Sequence, residues 1–489
     1  MGFSTKLKKQ LLIFLTSFPV LIFLVALVIR LVPVLITRTM GIGLDDMFQY
    51  DMLARSIATG NGYRWYAQPD LHLAQQYIHF NMSMVNYDPR GVLTSFRPPL
   101  YPFFLATIYY VFGMGVNRFY IARLIQTILG ALLAPMVYNI SSKLFPSNIK
   151  IGRISAYIVA FYPILVIYPL SLATENIFFI LFLLALWTTL KAVKTDQWYW
   201  YAISGLLFGL TALTRSVALS VAGFTFLFIV FMLKKPKNGF ILLAMVIITT
   251  LPWMIRNTII NHHITGIESA LGYDLYMGYH PKSNGTFQYG ISMDLIPYLD
   301  DGLRDKIGQD KAIEFIKANP WRVPVLMVNR LGYFFGLERR ALTYFYANNF
   351  FGYIPESILI IIAVVLLSPF VILSISAAFG FTIYKWDSFS LLVLIFFFGY
   401  LLPHILILGE DRFHFTLIPV MAIFAAFFWT EGRKRIHESW KSPSGKIALL
   451  IASAICVLLI IGWSSELFRD RVLIFNLFSP SGNQLYIPY

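Results

Sequence analysis

The strongest constraint on the fold is a succession of long apolar runs, each close to the length needed to cross a lipid bilayer. A helix that crosses the hydrocarbon core needs about 20 consecutive apolar residues. The runs cover residues 11–36, 119–145, 153–171, 174–193, 198–214, 216–233, 239–257, 354–384, 388–408, 412–430 and 446–465. The chain is therefore predicted to be an all-α polytopic membrane protein with about eleven, and at most about thirteen, transmembrane helices.

The composition supports a membrane protein and excludes several other classes. Of the 489 residues, 58% are hydrophobic and only 13% are charged, whereas a soluble domain has roughly 25% charged residues. A soluble enzyme, a disordered chain and a nucleic-acid-binding protein are therefore excluded. The single cysteine, Cys456, lies inside an apolar run, so no intrachain disulfide can form.

The basic residues predict how the chain is oriented. Its formal net charge is +15, and in membrane proteins Lys and Arg concentrate in cytoplasmic loops. The basic N-terminus, Lys6 to Lys9, precedes an apolar run that is too long for a signal peptide, so we expect a retained first helix with a cytoplasmic N-terminus. The later basic clusters then fall on the cytoplasmic side only if the Pro-rich segment 98–113 does not cross. They comprise Lys143, Lys150, Arg153, Lys191, Lys194, Lys234, Lys235, Lys237, Lys385, Arg433, Lys434, Arg435 and Lys441.

Two long segments, at about residues 38–118 and 258–353, are predicted to lie on the outer face with short interfacial helices. We call them the first and second long segments. The segment 98–113 contains three prolines and is expected to form a partly embedded helix. The predicted location is the plasma (inner) membrane, with the polar residues of both long segments on the periplasmic or extracellular side.

Two carboxylates, Asp45 and Asp46, follow the first apolar run directly. Acidic residues so close to hydrocarbon are costly unless they are paired, hydrated or functional. Asp46, Tyr50 and Ala54 share one face of a short helix, which would direct one carboxylate inward as a general base for an acceptor hydroxyl or amine. The structural alternative is that one Asp caps the helix that follows, and both interpretations hold if one caps and the other reacts.

Arginines near the outer ends of the runs are candidate phosphate ligands. Arg97 precedes Pro98 and Pro99 and could bind a phosphate bidentately, or could simply extend to the interface. Glu175 and Arg215 also lie at outer helix boundaries, where each could serve the site or act as an ordinary interfacial anchor.

A late turn between two apolar runs is dense in polar residues. It contains His404, Glu410, Asp411, Arg412 and His414. Arg412 could bind a phosphate, whereas the structural alternative is a solvated turn with a salt bridge. His, Asp and Glu groups of the outer segments could also bind a divalent metal, although no fixed ligand spacing appears and no cofactor is predicted with certainty.

These residues fall into short motifs whose order and spacing resemble a known family. The chain is similar to the GT-C membrane glycosyltransferases, and most similar to the branch of protein O-mannosyltransferases and aminoarabinose transferases. The motifs are Asp46-Met-Phe-Gln-Tyr50, Gly60-Asn-Gly62-Tyr63, Arg97-Pro-Pro-Leu-Tyr-Pro, Phe112-Gly113, Ala122-Arg123-Leu-Ile-Gln126, Tyr162-Pro163, Thr174-Glu175, Gly209-Leu-Thr-Ala-Leu-Thr-Arg215, Asp411-Arg412-Phe and Pro419.

The resemblance implies a GT-C helix bundle that moves a sugar from a polyprenyl-phosphate-linked donor to a glycan, lipid or protein acceptor on the outer face. Residues 1–257 would form the catalytic membrane module, 258–353 a large outer loop and 354–489 the C-terminal membrane region. Asp46 would be the base of an inverting displacement, with Asp45 as a second catalytic candidate. Arg97, Arg215 and Arg412 would bind the donor phosphate, and membrane lipids would surround the protein. Tyr50, Glu175, His404 and His414 are further site candidates.

The chain departs from the family pattern at two positions. The acid that follows the leading Asp in the family's Asp-Glu-x-x-Tyr pattern is Met47 here, so a paired-acid role requires Asp45. In the aminoarabinose transferases a lysine that touches the lipid phosphate stands where this chain has Arg97. The acid preceding that lysine is Phe96 here.

Two other functions remain as alternatives. A lipid-linked glycan ligase or polymerase would share the lipid donor, but its key residues would lie in a late outer loop. A transporter of lipid or sugar would show polar residues near the bilayer midplane and often an internal repeat. The charges of this chain gather at the outer boundary, and no repeat is visible.

Overall fold

The computed structural model describes residues 17–82, 85–347 and 349–484. Most residues of these ranges are helical and only two short strands occur among them, which confirms the predicted all-α membrane fold. Lys6 to Lys9 and the first six residues of the run 11–36 lie outside the described residues. We number the described helices in chain order as α1 Phe18–Ile36, α2 Asp46–Ala58, α3 Gln68–Ala74, α4 Leu100–Phe112, α5 Arg118–Ala131, α6 Leu133–Leu144, α7 Ile149–Phe161, α8 Pro163–Ile167, α9 Glu175–Thr195, α10 Trp198–Ala212, α11 Ala218–Leu227, α12 Pro236–Asn261, α13 Leu271–Tyr279, α14 Tyr289–Ser292, α15 Asp301–Ala318, α16 Arg322–Phe334, α17 Arg340–Phe345, α18 Glu356–Ile383, α19 Leu391–Leu406, α20 Ile418–Ser439, α21 Pro443–Arg469 and α22 Arg471–Leu477.

Shorter elements extend or join these helices. They are two strands, β1 Arg64–Trp65 and β2 Val92–Leu93, which pair antiparallel, together with the 3₁₀ turns Tyr168–Leu170, Asp411–Leu417 and Gly482–Gln484 and the π turn Phe228–Met232.

Seven helical segments of the described chain are long and apolar enough to cross a membrane. They are Phe18–Ile36, Arg118–Leu144, Glu175–Thr195, Pro236–Asn261, Glu356–Ile383, Asp411–Ser439 and Pro443–Arg469. An eighth span would consist of α7 and the segment Pro163–Leu170, bent by 56°. Three shorter apolar helices, α4, Ala218–Met232 and α19, accompany them. The count of eleven spans therefore stays a prediction.

Helix α4 covers the Pro-rich segment that was predicted to be only partly embedded, and its length agrees with that prediction. It has 13 residues and is therefore about 20 Å long, which is shorter than the hydrocarbon core of about 30 Å. The predicted boundary after residue 257 lies within the last turn of α12, which ends at Asn261, and the boundary after residue 353 lies just before α18, which begins at Glu356. The division itself remains a prediction.

Close helix contacts in the bundle depend on small residues. Helices α10 and α12 pack against each other, and a Cβ added at Gly205 would lie 2.3 Å from the carbonyl oxygen of Leu242. A Cβ at Gly209 would lie 2.5 Å from Thr249. Small residues at such positions let helix backbones approach closely where hydrophobic burial gives no advantage over lipid.

Buried arginines satisfy backbone carbonyls where helices break. Arg30 of α1 is fully buried and donates to the carbonyls of Ala160 and Val159, at 2.9 and 2.8 Å. The Val159 carbonyl has no helical partner because Pro163 lacks an N–H, and the Ala160 carbonyl lies in the last turn of α7, where carbonyls have no partner within the helix. Arg330 is also fully buried, and it joins the second long segment to the end of α19 through the carbonyl oxygens of Gly278 and Leu406, both at 2.7 Å.

Candidate active site

The two neighbouring carboxylates at the start of α2 have different roles in the structure. The Asp45 side chain accepts a hydrogen bond from the backbone N–H of Met47 at 2.8 Å and so caps the helix. Burial, followed by the charge of Asp46, raises the pKa of Asp45 to about 6. The capping alternative therefore describes Asp45, and Asp46 is left to make other contacts. A catalytic role for Asp45 stays a prediction.

Asp46 lies between two arginines that are distant from it in sequence. Arg97 donates from Nη2 to Oδ1 of Asp46, and Arg412 donates from Nη1 to Oδ2 at 3.0 Å. Burial alone would raise the pKa of Asp46, but Arg97 and Arg412 outweigh it, and the pKa lies below its ordinary value. Asp46 is thus a carboxylate with one guanidinium on each oxygen.

Further contacts fix the direction of Arg97. Its Nε donates to Oε1 of Gln49 at 2.9 Å, and its guanidinium lies 5.4 Å from the ring centroid of Tyr50. Tyr50 is buried and packs edge-on against Tyr101, with 5.0 Å between the ring centroids. Helix α2 therefore supplies both the anion and the ring that orient Arg97.

Arg412 connects Asp46 to the polar late turn. Its Nε lies 2.8 Å from Oε2 of Glu410. Arg340, at the start of α17, contacts Oε2 of Glu410 at 3.2 Å and Oδ1 of Asp411 at 2.9 Å. Thus the predicted salt bridge in the late turn exists, and it extends to the second long segment.

Glu175 and Arg215 pair with each other beside this network. Arg215 Nη1 donates to Oε1 of Glu175 at 2.5 Å. The ring of Phe413 lies next to two guanidiniums, 5.1 Å from that of Arg215 and 5.6 Å from that of Arg412. The structure therefore brings together most of the predicted site residues. We call the group Asp46, Arg97, Glu175, Arg215, Glu410 and Arg412 the charged cluster.

The two predicted histidines differ in position. His404 is buried and stacks on Phe413, with 4.3 Å between ring centroids, so it supports the ring that lies between Arg215 and Arg412. His414 is fully buried and contacts none of the charged cluster directly. Its Nδ1 lies 2.6 Å from the carbonyl oxygen of Phe334, and its Nε2 lies 3.1 Å from Glu338. His414 is a histidine of the protein core.

The second long segment adds two carboxylates, Glu268 and Asp274, that the motifs did not indicate. Glu268 accepts a hydrogen bond from Ser216, the residue after Arg215. Ser269 donates through its backbone N–H to the carbonyl oxygen of Ser95 at 2.9 Å, two residues before Arg97. Residues 268 and 269 therefore bridge the two arginine-bearing segments. The only sequence signal is an isolated acid in an apolar stretch.

Asp274 follows on α13 and lies within electrostatic range of Glu268 and Arg97. Burial and the negative charge of Glu268 outweigh Arg97 and raise the pKa of Asp274 to about 7. A carboxyl group that titrates near neutrality can exchange a proton with a substrate at physiological pH.

The first half of the chain positions the start of α2. Arg123 is fully buried and donates to the carbonyl oxygens of Gly41 at 2.7 Å and Leu170 at 2.8 Å. Gln126 donates to the carbonyl oxygen of Pro169 at 2.9 Å. These bonds tie the residues before Asp45 to the break after α8, which explains why the Arg123 and Gln126 motif belongs with the site.

Among the described residues, no group of three or more His, Cys, Asp and Glu side chains is arranged to hold a metal ion. Each acid of the charged cluster contacts an arginine, and arginine does not bind cations. The acids of the charged cluster therefore do not fit a divalent metal.

The fold and the candidate site describe a polytopic membrane protein. Its paired arginines and carboxylates lie near the ends of its helices. Residues 96–255 match the family model of dolichyl-phosphate-mannose-protein mannosyltransferase. The matched range contains Arg97, Glu175 and Arg215. The match confirms the resemblance to the GT-C membrane glycosyltransferases. No curated protein sequence matches the chain.

Solved structures with a similar arrangement of helices come from archaea and bacteria. One is the Archaeoglobus fulgidus oligosaccharyltransferase AglB in complex with an inhibitory peptide and a dolichol-phosphate, with 15% identity, a TM-score of 0.49 and coverage of 97% of this chain. The chain spans 60% of the length of that oligosaccharyltransferase. Another is ArnT from Cupriavidus metallidurans bound to undecaprenyl phosphate, with 14% identity, a TM-score of 0.46 and coverage of 96% of this chain and 74% of that chain.

Proposed function

We propose that the protein transfers a sugar from a polyprenyl-phosphate-linked donor to an acceptor on the outer face of the membrane. The observation that carries the proposal is the pairing of Asp46 with Arg97 and Arg412. Guanidinium groups that hold a carboxylate present the same donors that hold a phosphate. The family match supports a dolichyl- or polyprenyl-phosphate sugar as donor.

Binding of the donor would exchange the partners of the two arginines. Its phosphate would take the place of Asp46 on Arg97 and Arg412, with Arg215 as a further cation nearby. Asp46 would lose the charges that lower its pKa and would become a stronger base. The donor itself would therefore activate the carboxylate that receives the acceptor's proton.

The transfer step follows from this arrangement. The acceptor hydroxyl or amine attacks the anomeric carbon, its proton passes to Asp46, and the bond from the anomeric carbon to the phosphate oxygen breaks. Polyprenyl phosphate leaves with its negative charge stabilised by the arginines. A single displacement inverts the anomeric configuration.

The product identifies the reaction. Purified protein is incubated with a polyprenyl-phosphate-mannose donor and candidate acceptors, and NMR determines the anomeric configuration of the product. An inverted product supports the proposal, and a retained configuration would refute the single displacement. Mass spectrometry of glycans and lipids from cells lacking the protein would identify the acceptor, and an unchanged profile would argue against sugar transfer by this protein.

The proposal also places the N-terminus in the cytoplasm and the charged cluster on the outer face of the plasma membrane. Cysteines introduced at Val116, which is 96% exposed after α4, and at the exposed Lys434 after the apolar part of α20 test this. Cys456 is buried and serves as the background. An impermeant thiol reagent added to intact cells should label the cysteine at 116 and spare the one at 434, and the reverse pattern would invert the topology.

A further inference from the structure

A second group of cations lies at the opposite end of α9 from the charged cluster. Helix α9 starts at Glu175 and ends at Thr195, and its 21 residues span about 30 Å. Lys191 and Lys194 lie in its last two turns. Lys143 lies in the last turn of α6, which packs against α9. These three lysines are therefore on the other membrane face.

Two tryptophans organise the lysines. The Nζ atom of Lys191 lies 3.6 Å from the ring centroid of Trp200 and 5.1 Å from that of Trp187. Lys143 Nζ lies 5.2 Å from the centroid of the same Trp187 ring. The two indole rings are 5.9 Å apart and nearly perpendicular. Trp187 thus has an ammonium group from each of two helices close to it.

In the described part of the chain, no carboxylate forms an ion pair with Lys143, Lys191 or Lys194. The nearest acid in sequence, Asp196, is held by Lys235 at 2.8 Å and by Asn238 at 3.1 Å. Lys191 and Lys194 both lie within electrostatic range of Lys143, and like charges that lie close together without a counter-ion repel one another. An anion placed among the three ammonium groups would remove this repulsion.

Exposed aromatic residues indicate the depth of the group in the membrane. Trp198 and Tyr199, at the start of α10, are 61% and 43% exposed. Trp and Tyr concentrate at the level of the lipid headgroups, so the neighbouring ammonium groups lie at the level of the lipid phosphates. Basic pockets between transmembrane helices bind anionic headgroups.

We propose that Lys143, Lys191 and Lys194, with Trp187 and Trp200, form a binding site for the phosphate of an anionic phospholipid in the leaflet opposite the charged cluster. The lysines supply charge and hydrogen-bond donors, and the indoles hold the ammonium groups in place through cation–π contacts. This site is independent of sugar transfer. Phosphate in solution shares the same chemistry, and the test separates the two sources.

Native mass spectrometry of the full chain with phosphatidylglycerol measures the binding. The double variant Lys143→Gln/Lys191→Gln should lose at least tenfold in affinity. The matched control, Lys234→Gln/Lys237→Gln, removes the same charge from exposed lysines and should bind like the parent. Equal loss in both double variants would overturn the proposal, because general attraction to basic loops would then account for the binding. No loss in either variant would also overturn it, because these lysines would then not bind the lipid.

Two further measurements complete the test. Millimolar inorganic phosphate should leave the lipid bound, and its displacement of the lipid would mean a site for free phosphate instead. If the double variant does not fold, Lys194→Gln, which changes an exposed side chain, should still weaken phosphatidylglycerol binding severalfold. Parental affinity in Lys194→Gln would then refute the site.

Discussion

Replacement of Asp46 by Asn separates donor binding from chemistry. The amide keeps the size of the side chain but cannot accept the acceptor's proton. Loss of a general base lowers turnover by about 10²–10⁴-fold, which corresponds to about 2.7–5.4 kcal/mol of transition-state stabilisation. We therefore expect kcat to fall by this factor.

The same substitution should leave donor binding intact or improve it. Asp46 competes with the donor phosphate for Arg97 and Arg412 in the structure, and an uncharged amide competes less. The donor KM should therefore stay constant or decrease while kcat falls. Truncating one partner of a fully buried ion pair costs about 3–5 kcal/mol. The side chain of Asp46 is 31% exposed, so the free energy of unfolding should fall by less.

The matched control is Asp45→Asn, which removes a neighbouring carboxylate of similar burial. The amide oxygen can still accept the hydrogen bond from the N–H of Met47, because Asn is as good an N-cap as Asp. If Asp45 acts only as the cap, turnover should stay within a few-fold of the parent, and a fall as large as that of Asp46→Asn would instead assign a catalytic role to Asp45. Steady-state kinetics with varied donor concentration measures kcat and the donor KM of both variants. A higher donor KM with unchanged kcat for Asp46→Asn would refute the role of Asp46 as base.

Three further predictions address other parts of the site. Arg97→Ala should raise the donor KM by about 10- to 100-fold, since a hydrogen bond to a charged group contributes about 1.5–3 kcal/mol; an unchanged KM would make Arg97 an interfacial anchor. Asp274→Asn should raise Tm more at pH 8 than at pH 5, because the folded-state pKa is raised to about 7 and the cost of ionising Asp274 grows as pH rises from its unfolded value near 3.9; a pH-independent difference in Tm would contradict this. His414→Ala should lower the free energy of unfolding by about 1–3 kcal/mol, because the buried Glu338 loses one hydrogen-bond partner, with the donor KM unchanged in steady-state assays; a raised KM would return His414 to the site.

The long helices could be predicted because an apolar run of bilayer length has few other stable structures. Each of the eleven runs overlaps helix in the described residues, including the run 153–171, which the structure bends at Pro163. The number of spans could not be predicted, because a run of 15 to 17 residues can form a full span or a partly embedded helix. Length and hydropathy alone do not separate these outcomes.

Most residues of the candidate site could be predicted from the sequence, but the contacts between them could not. Asp46 and Arg412 are separated by 366 positions, and no local pattern indicates that they meet. His404 and His414 looked equivalent in the sequence because both flank the same turn. Their environments differ because the 3₁₀ turn Asp411–Leu417 directs Arg412 toward Asp46 and His414 into the core. Asp274 was missed because an isolated acid carries no motif.

The most direct test of the central claim is the affinity of the purified protein for polyprenyl phosphate without a sugar. We expect Arg97→Ala and Arg412→Ala each to weaken binding at least tenfold, while Arg90→Ala, an exposed arginine paired with Asp88, binds like the parent. We expect Asp46→Asn to bind at least as tightly as the parent. Equal affinity in all four variants, or weaker binding in Asp46→Asn than in Arg97→Ala, would contradict the claim that the arginines exchange Asp46 for the donor phosphate.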